Sequence, residues 1–317
     1  MNKLVKLVVL ILIAFLLSGC DLFEQKEDIY ILYTNDVAGT LVQGEVGYDG
    51  VSGYKKYLEA ENNYVALVDA GDFFDGALDF PDGVNDVVRL MNACGYDVVT
   101  LGNQEFSIGL DNLALGISNS NFDYVSSNLK FIGKGSNPLS KVKPYVIKRF
   151  GWTKVAFVGV TTPETLIPGK PAYAAISQDG ELIYDFYGDN DGADLYEQVQ
   201  KTVDKVRKKV DYVIVLSHLG SNSVTEGFSS YDLINNTEGI DVVIDGHSHT
   251  VISGEAVANK NGDVVVLTST GKCLENLGVL AMHPDHSYTT TLYPQIYEKD
   301  PEVTQIIEEL YNKIKNG

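Results

Sequence analysis

The sequence is poor in basic residues and in cysteine, and each shortage closes off a class of function. Only 24 Lys and Arg stand against 43 Asp and Glu. Two of the 24, Lys3 and Lys6, precede an N-terminal apolar run; without that leader 22 basic residues remain and the net charge is −21. Such a surface repels polyanions, which argues against a nucleic acid polymer as partner, and it offers no basic patch to draw the domain onto anionic lipid. Three Cys in 317 residues make no disulfide framework. Leaving Cys20 aside, Cys94 and Cys273 read better as buried thiols than as a pair. The apolar run from Leu7 to Leu17 is too short to span a bilayer comfortably. No internal repeat, low-complexity segment or linker divides the chain after it.

What the N-terminus does hold is a charged front, that apolar run, and then Leu17-Ser18-Gly19-Cys20. This ending reads as a bacterial lipobox, in which the cysteine is acylated and becomes the mature N-terminus. The expectation is a lipoprotein signal peptide over 1–19, then a lipidated Cys20 and a polar tether over 20–28. The protein would sit in the bacterial cell envelope, lipid-anchored to a membrane and facing outside the cytoplasm.

From Asp28 onward apolar strands alternate with amphipathic helices, the pattern of an α/β fold. Strands are predicted at Ile29 to Thr34, Val65 to Asp69, Val98 to Leu101, Tyr124 to Ser127, Val155 to Val160, Val213 to Leu216 and Val242 to Ile244. A helix is predicted over Leu195 to Lys209, with Leu195, Val199, Val203, Val206 and Val210 at helical spacing. Val264 to Thr268, Gly278 to Met282 and Tyr288 to Tyr297 read as strands without helices between them, so part of the sheet should be antiparallel. Asp300-Pro301 opens a last helix, with Val303, Ile306, Ile307, Leu310 and Ile314 on one face. The expectation is a single domain over 29–299 followed by a linker-like helix over 300–317.

Polar groups gather where these strands end. Asp36, Asp72, Asn103, His218, His247 and His249 each follow an apolar run, most with glycine adjacent to turn the backbone sharply. The densest stretch is Asp241 to Thr250, D-V-V-I-D-G-H-S-H-T, which places two of only five histidines within three residues. An Asp after a strand is most often a helix N-cap, and a lone His a local hydrogen-bonding group. Six such residues in matching positions form a mixed oxygen and nitrogen ligand set, enough for two divalent cations if one carboxylate bridges them. By contrast Asp185, Asp189, Asp191 and Asp194 lack EF-hand spacing and read as a solvated turn ahead of a helix.

In order and spacing these motifs resemble the metallophosphatase domain of the calcineurin-like superfamily, in its bacterial 5′-nucleotidase and UDP-sugar hydrolase branch. The matching stretches are I-L-Y-T-N-D (Ile31 to Asp36), L-V-D-A-G-D (Leu67 to Asp72), M-N-A-C-G-Y-D-V-V-T-L-G-N (Met91 to Asn103), G-V-T-T-P-E-T (Gly159 to Thr165), V-L-S-H-L-G (Val215 to Gly220) and D-G-H-S-H (Asp245 to His249). The resemblance implies a four-layer α/β/β/α metallophosphoesterase sandwich with mixed sheets and a two-metal site on one edge. It implies one metal position made by Asp72, Asn103, His218 and His247 and another by Asp36, Asp72 and His249, Asp72 bridging. The ions would be Mn, Zn or Mg, one held tightly and a second more weakly. Phosphate esters would be hydrolysed by a metal-bridging hydroxide without a covalent phospho-enzyme.

The sequence also departs from that pattern. Ala38 stands where the family has a ligand His. Gln104 and Ser107 stand where the family has the catalytic His that assists the leaving group and the Asp that orients it. Glutamine can donate a hydrogen bond to a phosphate but cannot transfer a proton. The two-domain nucleotidases also carry a C-terminal nucleobase-stacking domain beyond the point where this sequence stops. Two readings follow: an attenuated envelope phosphoesterase acting on a small phosphorylated molecule such as a nucleotide, or a catalytically inactive lipoprotein that binds metal and a phosphate compound.

Overall fold

The computed structural model describes residues 28–41, 45–283, 285 and 287–316. The leader, Cys20 and the tether up to residue 27 lie outside the described residues, as does His286. Among the described residues no helix is long and apolar enough to cross a membrane.

Sixteen strands are described: β1 Ile29–Thr34, β2 Tyr64–Asp69, β3 Val98–Thr100, β4 Asp123–Val125, β5 Lys130–Phe131, β6 Tyr145–Phe150, β7 Thr153–Thr161, β8 Ser177–Gln178, β9 Glu181–Leu182, β10 Tyr184–Asp185, β11 Tyr212–His218, β12 Val242–Asp245, β13 Val251–Ala258, β14 Val264–Thr270, β15 Leu277–Met282 and β16 Tyr288–Tyr293. Twelve of them form two six-stranded sheets, ordered β16-β15-β1-β2-β3-β4 and β13-β14-β12-β11-β7-β6. In the first sheet β1 to β4 run parallel, and β15 and β16 add antiparallel. In the second β7, β11, β12 and β14 run parallel, flanked by antiparallel β6 and β13. Parallel neighbours need a crossover, which the helices Gly47–Ala60, Val84–Cys94, Leu110–Asn119, Ala193–Arg207 and Ser230–Asn236 supply.

The strands read as continuous apolar runs because both faces are buried. Along β1, Ile29, Ile31 and Tyr33 join the core between the sheets, while Leu32 joins the core beneath the first sheet's helices. Along β11, Tyr212, Ile214 and Leu216 face inward, and Val213 and Val215 meet Leu195, Val199, Val203 and Val206 of helix Ala193–Arg207. Three hydrophobic layers thus separate helix, sheet, sheet and helix: the four-layer α/β/β/α sandwich, as one domain. Tyr33 ties the layers together, its hydroxyl 2.6 Å from Thr268 Oγ1 of the opposite sheet.

Several boundaries differ from the sequence reading. β3 ends at Thr100 and β4 at Val125, and helix Ala193–Arg207 stops before Val210. β16 ends at Tyr293 rather than Tyr297, because Pro294 has no N–H to continue the ladder. The edge strands β6 and β13 were not anticipated. β13 is mostly exposed and is broken by a register shift between Ser253 and Glu255, so its apolar residues make no regular alternation. In the last helix, Pro301–Asn316, Val303, Ile306 and Leu310 enter the outer core, but Ile314 is exposed. Cys94 is buried and Cys273 only partly so, and both thiols are free.

Candidate metal centre

Parallel strands of both sheets end at one edge, and the predicted ligands follow those ends. Asp36 comes two residues after β1, Asp72 three after β2 and Asn103 three after β3; His218 closes β11, and His247 and His249 follow β12. Ligand-capable atoms of Asp72, His218 and His247 all lie within 4.8 Å of one another. His218 Nε2 is 3.1 Å from Asp72 Oδ2 and 3.9 Å from Asp36 Oδ1, and His249 Nε2 is 3.5 Å from Asp36 Oδ1. His249 is half exposed, whereas His218 is fully buried.

The backbone at this edge is under strain. Asp36, Ala38, Asp72, His247 and His249 all have positive φ, between 50° and 73°. A non-glycine residue held there costs about 1–3 kcal/mol and persists only where surrounding bonds impose it. Those bonds are visible. Asp36 donates its N–H to Gly71 O, Ala38 donates to Asp72 O at 3.1 Å, and Cys273 donates to Asp36 O at 2.8 Å. The Asn35 amide donates to Asp36 Oδ2 and to Gly271 O, and its Oδ1 accepts from Thr270, locking β1 to the end of β14.

Neighbouring groups also fix the histidines. The His218 Nδ1 lies 2.7 Å from the Ala70 carbonyl. A carbonyl only accepts, so Nδ1 carries the proton and Nε2 is the nitrogen left for a ligand. His247 Nε2 is 3.0 Å from Glu164 Oε2, which leaves Nδ1 as its donor atom toward a cation. Glu164 also accepts the Thr225 N–H through Oε1. Glu105, fully buried, accepts from Asp72 N and Gly102 N through Oε2 and from Phe74 N through Oε1, at 2.7–2.8 Å. One carboxylate thereby stitches the loop after β2 to the loop after β3.

Charge is concentrated accordingly. Burial alone would lower the His218 pKa, but Asp72 and Asp36 outweigh it and push the imidazole up to about 10. Burial raises Glu105 to about 7, with Asp72 adding to the effect, and raises Asp245 to about 6. Burial likewise holds Asp69 well above the carboxylate range, although Thr34 and Gly71 donate to it. Asp72 experiences the same burial but is drawn below its usual value by His218 and the Gln104 N–H.

Two observations test whether these residues suit a divalent cation. Asn103 Oδ1 and His218 Nε2 are buried with no hydrogen-bond partner; the contact of Nε2 with Asp72 lacks hydrogen-bond geometry. Unpaired buried polar atoms are costly, and a carbonyl oxygen and an imidazole nitrogen beside a carboxylate are what a cation would satisfy. The cradle is also tight. A Cβ on Gly102 would stand 2.2 Å from Asp72 Oδ1 and 2.7 Å from His218 Nε2. The residues present fit the group.

The remaining positions lack such chemistry. Ala38 presents a methyl group. Gln104 contributes its backbone N–H to Asp72 Oδ1 at 2.8 Å, and Ser107 Oγ donates to Asn103 O at 3.4 Å. Sequence reasoning gave Glu105 and Glu164 no role. Their signal was present, Glu105 beside Gln104 and Glu164 within G-V-T-T-P-E-T, but their partners lie far along the chain.

Comparison with known proteins agrees with this geometry. The profile of the family described as bacterial capsule synthesis protein PGA_cap matches residues 69–275. A snake venom 5′-nucleotidase from Gloydius brevicauda is 29% identical over 322 residues, covering 91% of this chain and 51% of the relative. The trifunctional nucleotide phosphoesterase YfkN of Bacillus subtilis is 25% identical over 331 residues, 91% of this chain and 21% of that protein. The chain thus spans about half the length of the venom enzyme and less of the other. A solved 5′-nucleotidase precursor from Thermus thermophilus superposes with a TM-score of 0.74 at 22% identity, covering 91% of this chain and 59% of that one. The YfkN structure superposes with a TM-score of 0.68 at 23% identity, covering 92% and 98%. These likenesses to solved structures speak for the fold. With a family profile covering most of the chain and ligand-bearing loops gathered at one strand edge, this protein belongs to the PGA_cap family and, with the nucleotidases, to the calcineurin-like metallophosphoesterase superfamily.

Proposed function

We propose that the protein is a metal-dependent phosphoesterase of the bacterial envelope, attenuated toward unactivated esters and held to the membrane by a lipid on Cys20. The supporting observation is the pair of buried, unpartnered ligand atoms, Asn103 Oδ1 and His218 Nε2, beside Asp72. Asn103 Oδ1 has no partner at all, and His218 Nε2 has only carboxylates beside it, so a cation would give both atoms a ligand bond. Asp72, Asn103, His218 and His247 would hold a tight ion; Asp36, Asp72 and His249 would hold a weaker one, of Mn, Zn or Mg. Bound there, such ions supply Lewis-acid activation of water and neutralise phosphoryl charge. The chain's own residues do the rest. Glu105 fixes the Asp72 and Gly102 amides, Glu164 orients His247, and the Gln104 side chain can donate a hydrogen bond to a phosphate oxygen without moving a proton. The nucleotidase and nucleotide phosphoesterase names of the relatives support a nucleotide or similar small phosphorylated molecule as substrate.

A second reading, a metal- and phosphate-compound-binding lipoprotein without turnover, is favoured by Ala38, Gln104 and Ser107 together. The experiment pairs elemental analysis with assays on an aryl phosphate, an aryl phosphodiester and an alkyl phosphate. A positioned general acid contributes about 10²–10⁴-fold, most with poor leaving groups. The triple variant Ala38→His, Gln104→His, Ser107→Asp should therefore gain at least about tenfold on the alkyl phosphate, more than its single changes combined. No gain, with two metals bound, would establish the binding reading instead.

A further inference from the structure

The tip of the β6–β7 hairpin combines three features that its fold does not need. Trp152, the chain's single tryptophan, is 84% exposed. Arg149 and Lys154 face each other across the two strands, a like-charge pair that destabilises a hairpin in isolation. Arg149 is exposed, and neither side chain makes an ion pair among the described residues. The exposed Lys208 and Lys209 lie close by, just before the turn whose Asp211 N–H bonds to Lys154 O. Asp211 accepts the Lys154 N–H at 2.8 Å, Asp285 also acts on the neighbouring Tyr212, and Asp241 is paired with Arg207. Arg149, Lys154, Lys208 and Lys209 thus stand against two carboxylates outside ion pairs among the described residues here. In a chain of net charge −19 this is a local island of positive charge around an indole, which whole-chain composition conceals.

Its position matters as much as its content. The hairpin tip lies at the starts of the parallel strands, opposite the edge that carries the metal ligands. Ile29, where the described chain enters, pairs with Tyr64; the Tyr64 ring lies 6.4 Å from that of Phe150, and the Tyr64 hydroxyl is the nearest neighbour a side chain on Gly151 would meet. The tip therefore sits beside the point where the tether arrives. Cys20 is eight residues before Asp28, so a lipid there keeps this edge within about 29 Å of the bilayer even at full extension.

We propose that Trp152, Arg149 and Lys154 form a membrane-interface contact that docks the tethered domain on an anionic phospholipid surface, with the metal centre turned away from it. The inference rests on the lipid-anchor reading. Indoles settle at the headgroup level, where one end is apolar and the other wet, and Lys or Arg beside anionic lipid adds about fivefold each to binding. The nine residues of β7 then place the ligand edge about 30 Å above the lipid.

The test uses the full, acylated chain reconstituted in vesicles of phosphatidylcholine and phosphatidylglycerol. Flotation reports the anchor; emission from the lone tryptophan reports docking. The expected result is co-flotation, a blue-shifted emission protected from iodide, and quenching by brominated acyl chains. The Arg149→Gln, Lys154→Gln variant should still float, while its ratio of docked to free indole falls by about 25-fold. A chain that floats but keeps an iodide-accessible, unshifted tryptophan overturns the docking and leaves the anchor standing. A chain that does not float overturns both. A blue shift that grows with protein concentration in the absence of vesicles assigns the tip to a protein contact and also overturns the proposal.

Discussion

Gly102→Ala is the sharpest perturbation of the centre, because Gly102 has no positive φ and the change is purely steric. The new methyl carbon would lie 2.2 Å from Asp72 Oδ1, 2.8 Å from Asp72 Cγ and 2.7 Å from His218 Nε2. An ordinary contact needs about 3.4 Å or more, so the Asp72 carboxylate must withdraw by more than about 1 Å. It then loses the Gln104 N–H at 2.8 Å. A hydrogen bond to a charged acceptor contributes about 1.5–3 kcal/mol, and local overpacking costs about 1–3 kcal/mol. The sum, about 2.5–6 kcal/mol, falls on the group expected to bridge both ions. Metal affinity should drop by at least the 10–100-fold typical of disturbing a ligand's support. Titration calorimetry with Mn and elemental analysis after dialysis measure it, with circular dichroism confirming the fold. Gly135→Ala is the control: φ is +89° and no atom lies within 4 Å of its Cβ, so it imposes backbone strain far from the ligands. If Gly102→Ala binds metal like the parent, the cradle described for Asp72 and His218 is wrong.

Three further outcomes are expected. Without metal, stability should fall steadily from about pH 5 to about pH 9, because Glu105 (about 7), Asp245 (about 6) and His218 (about 10) all titrate above their ordinary values in the fold and lose their contribution as pH rises. A melting temperature in chelator that climbs over this range would contradict it. For the same reason metal must displace a proton from His218, so binding should tighten by up to about tenfold per pH unit below 10 and release protons measurable in buffers of different ionisation enthalpy. Glu164→Gln removes the charge that orients His247 and should weaken metal binding by about 10–100-fold while leaving the melting temperature in chelator nearly unchanged; unaltered affinity would separate Glu164 from the centre.

How much of this was legible in the sequence depended on range. Asp36, Asp72, Asn103, His218, His247 and His249 stood out because each follows an apolar run, and a run buried on both faces is continuous in sequence. The helix Pro301–Asn316 was announced by Asp300-Pro301, which the structure uses as cap and first turn, Asp300 Oδ1 accepting from Glu302 N. Groups that act across the chain gave no such mark. Glu164 meets His247 across 83 residues, and Glu105 reaches Asp72 and Phe74 across more than 30. β13 escaped because an exposed edge strand needs no alternation. The Arg149–Lys154 pair was hidden by a net charge that averages over the whole molecule.

Ala38 keeps φ at 52° and its N–H on Asp72 O although no imidazole stands there. The bend is therefore a property of the interlocking loops and not of whichever side chain occupies the position. Replacing a residue on such a frame leaves the frame standing, so an imidazole at residue 38 would need no rebuilding of the loops around it. A crystal structure of an Ala38→His variant should therefore superpose on this backbone around residue 38, with the new imidazole seated at an unchanged φ.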